Sequence, residues 1–176
     1  MNSARQLRLR GSVVNRSEAS PFLKSPGDAV LVERGRPRLL MLACPCGCGE
    51  EFPVNLDSRA GAAWRLYRDR RNRLTVFPSV WREGGCNSHY IIWADKIYLF
   101  GDDYEAFSDS IPADEITSLE NAVRERLPSE GLVSFVDLAD ALNAIPWDVL
   151  RVCRRLVRSG FAREGSGKQH NRFGRS

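Results

Sequence analysis

The sequence predicts an α+β protein, a small β-rich zinc-binding domain followed by a C-terminal winged-helix-like three-helix domain. Three observations carry that expectation. Apolar residues recur with a period near two as far as residue 100 and near 3.6 beyond it. Four of the five cysteines and one of the two histidines fall in two glycine-rich clusters, Cys44-Pro45-Cys46-Gly47-Cys48-Gly49 and Cys86-Asn87-Ser88-His89. Charge is divided along the chain: residues 95–120 hold eight acids against Lys96, net −7, and residues 147–176 hold seven arginines and Lys168 against Asp148 and Glu164, net +6.

The elements follow in order. Residues 1–27 mix Arg, Ser, Asn and Pro around Val13-Val14 and read as a loosely ordered N-terminal arm. The β-rich domain, 28–103, opens with Ala29–Glu33 and Leu39–Ala43, two β-prone runs joined by Arg34-Gly35-Arg36-Pro37 as a hairpin that delivers the chain into Cys44. Glu51–Leu56 alternates polar and apolar residues like a strand, and Ala62–Leu66 is ambiguous between helix and strand. Leu74–Phe77 ends before Pro78, and His89–Trp93 with Ile97–Phe100 forms a second hairpin with Asp95 near its turn. The third region is 111–176. There Ile116, Leu119, Val123 and Leu127 share one helical stripe, Pro112 suits the first turn and Pro128 the stop. Ser134, with Asp137 three residues on, begins a second helix. Pro146 begins a third, with Leu150, Cys153, Leu156 and Val157 inward, basic residues near its negative end and a stop at Gly160. A Gly-rich basic tail completes the winged-helix plan.

Composition bounds the class. At 176 residues, 43% apolar and 27% charged, the chain has the make-up of a globular protein of two modest units. No apolar run approaches the roughly 20 residues needed to cross a bilayer. Arg5, Arg8 and Arg10 near the start precede no apolar signal core, so a cytoplasmic, reducing location is expected. Clustered cysteines in such a compartment are metal ligands or redox groups more often than disulfides.

Thiolate ligands must converge within about 2.3 Å of one ion, and glycine beside cysteine gives the backbone freedom for that knuckle. Gly47 and Gly49 supply it in the first cluster, and Gly84-Gly85 precede the second. Five candidates, Cys44, Cys46, Cys48, Cys86 and His89, compete for four places around one structural Zn²⁺. Cys46, Cys48, Cys86 and His89 form the preferred set, with Cys44 replacing one of them or lying beside the site. Cys153 sits on the apolar stripe of the third helix and reads as core. A Rieske centre needs two histidines on one iron, and only His89 is near, since His170 lies in the tail. No His-Glu-x-x-His motif supports a catalytic zinc, and no catalytic residue is assigned.

The segments Cys44–Gly49, Pro78-Ser79-Val80-Trp81 and Gly85–Trp93 together resemble a bacterial family of unknown function. Its mark is a Cys-x-Cys-Gly-Cys-Gly turn, a Pro-Ser-Ile/Val segment and a Cys-x-Ser-His strand. The resemblance covers about residues 30 to 101. Members are often encoded beside ubiquitin-like proteins, E1/ThiF-like and E2-like enzymes and JAB-type peptidases. It therefore implies a place in a ubiquitin-like conjugation system, with a bacterial defence role, and an E2-like, E1-like or ubiquitin-like partner.

The basic residues suggest a second surface. Arg151, Arg154, Arg155 and Arg158 on the third helix, with Lys168, Arg172 and Arg175 beyond it, could contact DNA phosphates, although arginines also simply solvate a helix end. Arg65, Arg68, Arg70, Arg71 and Arg73, interrupted by Trp64 and Tyr67, read as a solvated loop between strands. The sequence thus favours a non-enzymatic zinc adaptor or ligase-like accessory, with a zinc-containing winged-helix DNA-binding regulator or sensor as the alternative.

Overall fold

Short apolar strands build most of the first half, several of them buried along nearly their whole length, as a computed structural model shows for residues 3–99 and 113–176. The protein is α+β, and its chain divides into two units, Met1–Tyr104 and Glu105–Ser176.

Among the described residues the first unit holds eight strands: β1 (Arg8–Val13), β2 (Asp28–Glu33), β3 (Pro37–Ala43), β4 (Glu51–Asn55), β5 (Arg65–Arg68), β6 (Leu74–Trp81), β7 (His89–Trp93) and β8 (Lys96–Leu99). They form two four-stranded sheets, ordered β1-β2-β3-β4 and β5-β6-β7-β8. Ala29, Leu31, Leu40, Leu42, Phe52 and Val54 of the first sheet share one core with Leu74, Val76, Val80, Tyr90, Ile92 and Ile97 of the second. The sheets therefore pack face to face, and burying each large side chain between them stabilises the fold by roughly 1.5–3 kcal/mol. The β2–β3 hairpin turns through Gly35 at φ 71°, and Ala94 and Asp95, at φ 50° and 63°, turn β7 into β8.

Two features differ from the sequence expectation. Residues expected as a loose arm supply β1, which runs parallel to β2, and Ala19 and Leu23 cover the outer face of the first sheet against Val30, Val32, Met41 and Ala43. Asp28 fixes this segment: fully buried, it accepts from Arg8 Nε and Arg10 Nε at 2.9 Å and from the Lys24 and Ser25 amides at 3.1 and 2.9 Å. An alternation test cannot see such an anchor, because it depends on arginines some twenty residues away. The other difference is β6, which continues through Pro78 to Trp81. Its register against β7 shifts between Val76↔Ile92 and Val80↔Tyr90, and a proline without an amide proton is tolerated at such a bulge.

The second unit is built from α1 (Ala113–Arg126), β9 (Val133–Ser134), α2 (Phe135–Leu142), α3 (Pro146–Arg158), β10 (Ala162–Glu164) and β11 (Arg172–Arg175). Ser134 caps α2, its hydroxyl accepting from the Val136 and Asp137 amides, and Asn143 closes the helix at φ 48°. Along α3 the buried side chains are Pro146, Val149, Val152, Cys153 and Leu156, while Leu150 and Val157 of the expected stripe are half-buried. The basic tail forms antiparallel pairs, β10 with β11 and β11 with β9, and Phe173 is fully buried. Pro112 lies outside the described residues.

Candidate functional site

Two knuckles bring the cysteines together. The first joins β3 to β4: the Cys44 amide donates to the Glu50 carbonyl at 2.8 Å and the Gly47 amide to the Cys44 carbonyl at 3.1 Å. Gly47 and Gly49 sit at φ 84° and 85°, where a side chain would be strained, which accounts for glycine between and after the thiols. The second knuckle joins β6 to β7. Here the Arg82 amide donates to the Ser88 carbonyl at 2.9 Å, and the Gly85 and Asn87 amides converge on the Arg82 carbonyl at 3.2 and 3.1 Å. An Arg82–Glu50 ion pair ties one knuckle to the other.

The Sγ atoms of Cys44, Cys46, Cys48 and Cys86 all lie within 4.8 Å of one another. Cys44 is 3.3 Å from Cys46 and 3.5 Å from Cys86. Four thiolates placed tetrahedrally at about 2.3 Å from one ion would be about 3.8 Å apart, so the donor set fits a metal ion. Its electrostatics fit as well. Burial pushes the Cys44 thiol up to about 12. Burial acts the same way on Cys86 but is outweighed by hydrogen bonds from the Ser88 hydroxyl and amide, which leave it at about 6. Sulfurs this close repel one another as thiolates, and a divalent cation removes that repulsion. Four of the five sequence candidates thus converge as a group that could hold a metal ion, and His89 is outside that group.

His89 meets a residue to which the sequence reading gave no role. Its Nε2 lies 2.8 Å from Ser79 Oγ. Trp81 pairs with His89 across the β6–β7 ladder, which puts Ser79 on the diagonal of the same sheet face, while Val80 and Tyr90 point into the core. The bulge between Val76 and Val80 sets this placement. Trp64 Nε1 donates to the Ser79 carbonyl at 3.1 Å and fixes the backbone of the bulge. The Trp81 ring, 56% exposed, lies 6.1 Å from the imidazole at 32°. Burial lowers the His89 pKa below its usual 6.5, so the ring is neutral at neutral pH and can accept the Ser79 hydroxyl proton. A hydroxyl hydrogen-bonded to a neutral imidazole is the arrangement of an activated nucleophile and its general base.

Ser79 and His89 are ten apart in sequence, on two strands joined through the second knuckle, and the Trp81↔His89 register puts them at positions of equal parity. Strand alternation also separates their neighbours: Ser88 points to the sulfurs, its Oγ 3.0 Å from Cys86 Sγ, while His89 points to the other face.

The basic candidates are largely engaged locally. Arg155 Nε pairs with Glu120 at 3.1 Å, and Arg154 Nη2 donates to Asn171 Oδ1 at 3.1 Å. Arg151 is half-buried and Arg158 exposed. Arg175 donates to the Leu127 and Arg124 carbonyls. In the other run, Arg68 bonds Asn72, Arg73 pairs with Asp69, and Arg65 lies 5.5 Å from the Phe77 ring centroid. Cys153 is fully buried, its thiol pushed up to about 12 by that burial. Among the described residues no helix is long and apolar enough to cross a membrane.

Residues 14–100 match the model of a family described as bacterial ubiquitination-like system serine protease (BubE). The match takes in all four clustered cysteines, Ser79 and His89, and stops short of the helical unit. Neither the comparison with curated proteins nor that with solved structures returns a match.

Proposed function

We propose that this chain is a serine hydrolase of a bacterial ubiquitination-like system, with Ser79 as nucleophile and His89 as general base. The observation that carries the reading is the 2.8 Å approach of His89 Nε2 to Ser79 Oγ. It agrees with the description of the family that matches the same residues. In the reaction Ser79 Oγ attacks a carbonyl carbon while its proton passes to His89 Nε2. The imidazolium then returns that proton to the leaving amine, and water repeats the cycle on the acyl-enzyme. The tautomer this needs carries its proton on Nδ1, leaving Nε2 free to accept.

The four cysteines would hold one structural zinc ion, which supplies a cross-link and no reaction step. The substrate or product would be a ubiquitin-like protein, with E1-like and E2-like proteins of the same system as further partners. The order α1-β9-α2-α3-β10-β11 supports reading the second unit as a winged helix. We read it as a protein-docking module, because Arg154, Arg155 and Arg175 already hold partners inside their own unit.

The test is cleavage of a ubiquitin-like protein of the same system carrying a C-terminal extension. The full chain should cleave it, and Ser79→Ala and His89→Ala should each slow cleavage by at least about 10²-fold while leaving the melting profile in place. Undiminished turnover by Ser79→Ala would remove the proposal.

A further inference from the structure

β6 outruns its neighbour. β5 pairs with Leu74–Phe77 alone, through Arg68↔Leu74 to Arg65↔Phe77, whereas β6 continues to Trp81 with only β7 beside it. The direction of the backbone over this overhang is fixed at both ends. The Ser79 carbonyl accepts from Trp64 Nε1, which enters from the β5 side. The Arg82 amide donates to the Ser88 carbonyl on the β7 side. Alternation along a strand then turns Val80 toward β7, and Ser79 and Trp81 toward the open edge. Beyond the ladder, no hydrogen bond to the Ser79 amide or to the Trp81 amide and carbonyl occurs among the described residues. Pro78 and Trp81 are exposed and Ser79 is half-exposed.

We infer that this edge of β6, Ser79 to Trp81, binds the substrate as an added strand: an extended polypeptide segment pairs with the Trp81 amide and carbonyl and lays its scissile carbonyl against Ser79 Oγ. The inference rests on the Ser79–His89 reading and deepens it by naming the substrate's conformation and its recognition elements. An unpaired strand edge is a template for another backbone, and main-chain pairing gives affinity without demanding a particular side-chain sequence. What sets this edge apart from others is continuity: the strand that would receive the substrate is the one that carries the nucleophile, two residues from Trp81. The occupant is therefore the reacting chain. The Ser79 amide, which makes no hydrogen bond outside the ladder among the described residues, would donate to the oxygen of the carbonyl under attack, a role backbone amides of nucleophilic serines fill elsewhere. The exposed Trp81 ring beside the imidazole would then form one wall against the substrate residue next to the scissile bond.

Two serine-directed probes separate this claim from the one beneath it. A plain alkyl fluorophosphonate reports the Ser79–His89 pair alone, and a peptidyl diphenyl phosphonate of three to four small residues adds a backbone. Labelling of Ser79 by both, with the peptidyl probe slowed about tenfold when the amide nitrogen nearest Trp81 is methylated, is the expected result. Trp81→Pro removes one amide proton that faces the open edge and no ladder bond, with Trp81→Ala as the control for the ring. The ratio of peptidyl to alkyl labelling should fall about tenfold further in Trp81→Pro than in Trp81→Ala. Equal rates for the methylated and unmethylated peptidyl probes would overturn the strand-addition claim while leaving the nucleophile in place. Failure of both probes would instead remove the hydrolase reading. Concentration-dependent dimerisation lost in Trp81→Pro would overturn the inference too, by assigning the edge to a second copy of the chain.

Discussion

Removing the metal should loosen the sandwich and leave the helical unit alone. The first knuckle closes β3–β4 of one sheet and the second closes β6–β7 of the other, so an ion held by Cys44, Cys46, Cys48 and Cys86 is a cross-link between sheets. Two routes give its size. Treated as a chain cross-link from Cys48 to Cys86, a loop of about 38 residues, it removes unfolded-state entropy worth about 4 kcal/mol at 25 °C. Treated as a ligand of the folded state at about 1,000 times its dissociation constant, it contributes about 4 kcal/mol as well. For a unit near 100 residues each kcal/mol moves the melting point by about 4–8 °C, so metal loss should lower the sandwich transition by roughly 15–30 °C. The assay is calorimetry of the full chain with and without a chelator, with metal content measured in each sample. The second unit offers an internal reference, because its cysteine, Cys153, is a core side chain distant in sequence from both knuckles. Cys86→Ser should reproduce the chelator's effect and bind no metal, and Cys153→Ala should retain full metal content. If the sandwich transition stays put after the metal has demonstrably left, the cross-link argument is refuted.

Other consequences can be checked separately. Because burial lowers the His89 pKa from the usual 6.5 and the neutral ring is the active one, the acid limb of kcat/KM should have its midpoint below pH 6.5; a midpoint above that value contradicts the assignment of the base. Asp28→Asn should cost about 3 kcal/mol in denaturant unfolding, since it removes the buried charge that Arg8 and Arg10 surround. Burial alone would raise the Asp28 pKa, but those arginines and the Ser25 amide lower it overall. The stability this contributes is therefore complete above the ordinary aspartate range and is lost as pH falls through the folded value, so the gap between wild type and Asp28→Asn should close in acid. Ser134→Ala should lower the stability of the helical unit by about 1 kcal/mol and leave the sandwich transition unmoved.

What the sequence showed depended on the range of the interactions involved. The hairpins, the Ser134 cap, Pro146 at the first turn of α3 and the glycine-bearing knuckles are local, and each lies within a residue or two of the place its residues suggest. The convergence of Cys44, Cys46, Cys48 and Cys86 was legible for the same reason, since thiols beside glycine in two turns have few other uses. Longer-range features were not. β1 needs Asp28 to bring Arg8 and Arg10 back across the sheet, and composition alone made that segment read as an arm. His89 shows the limit most clearly. Three residues after Cys86 it has the spacing of a knuckle ligand, but it is the first residue of β7, and the strand turns it away from the sulfurs and toward a bulge whose geometry no spacing rule encodes. Ser79 lies in the Pro78-Ser79-Val80-Trp81 segment, and nothing local in the sequence marks it as the partner of His89.

The central claim is that Ser79 is a nucleophile activated by His89, and one measurement addresses it directly. The full chain is treated with an alkyl fluorophosphonate and analysed by intact mass and peptide mapping, alongside His89→Ala. The account predicts a single adduct, on Ser79, formed at least about 10²-fold more slowly in His89→Ala protein that retains its metal and its melting profile. Absence of an adduct, an adduct on Ser88 instead, or labelling of Ser79 at an equal rate without His89 would contradict it.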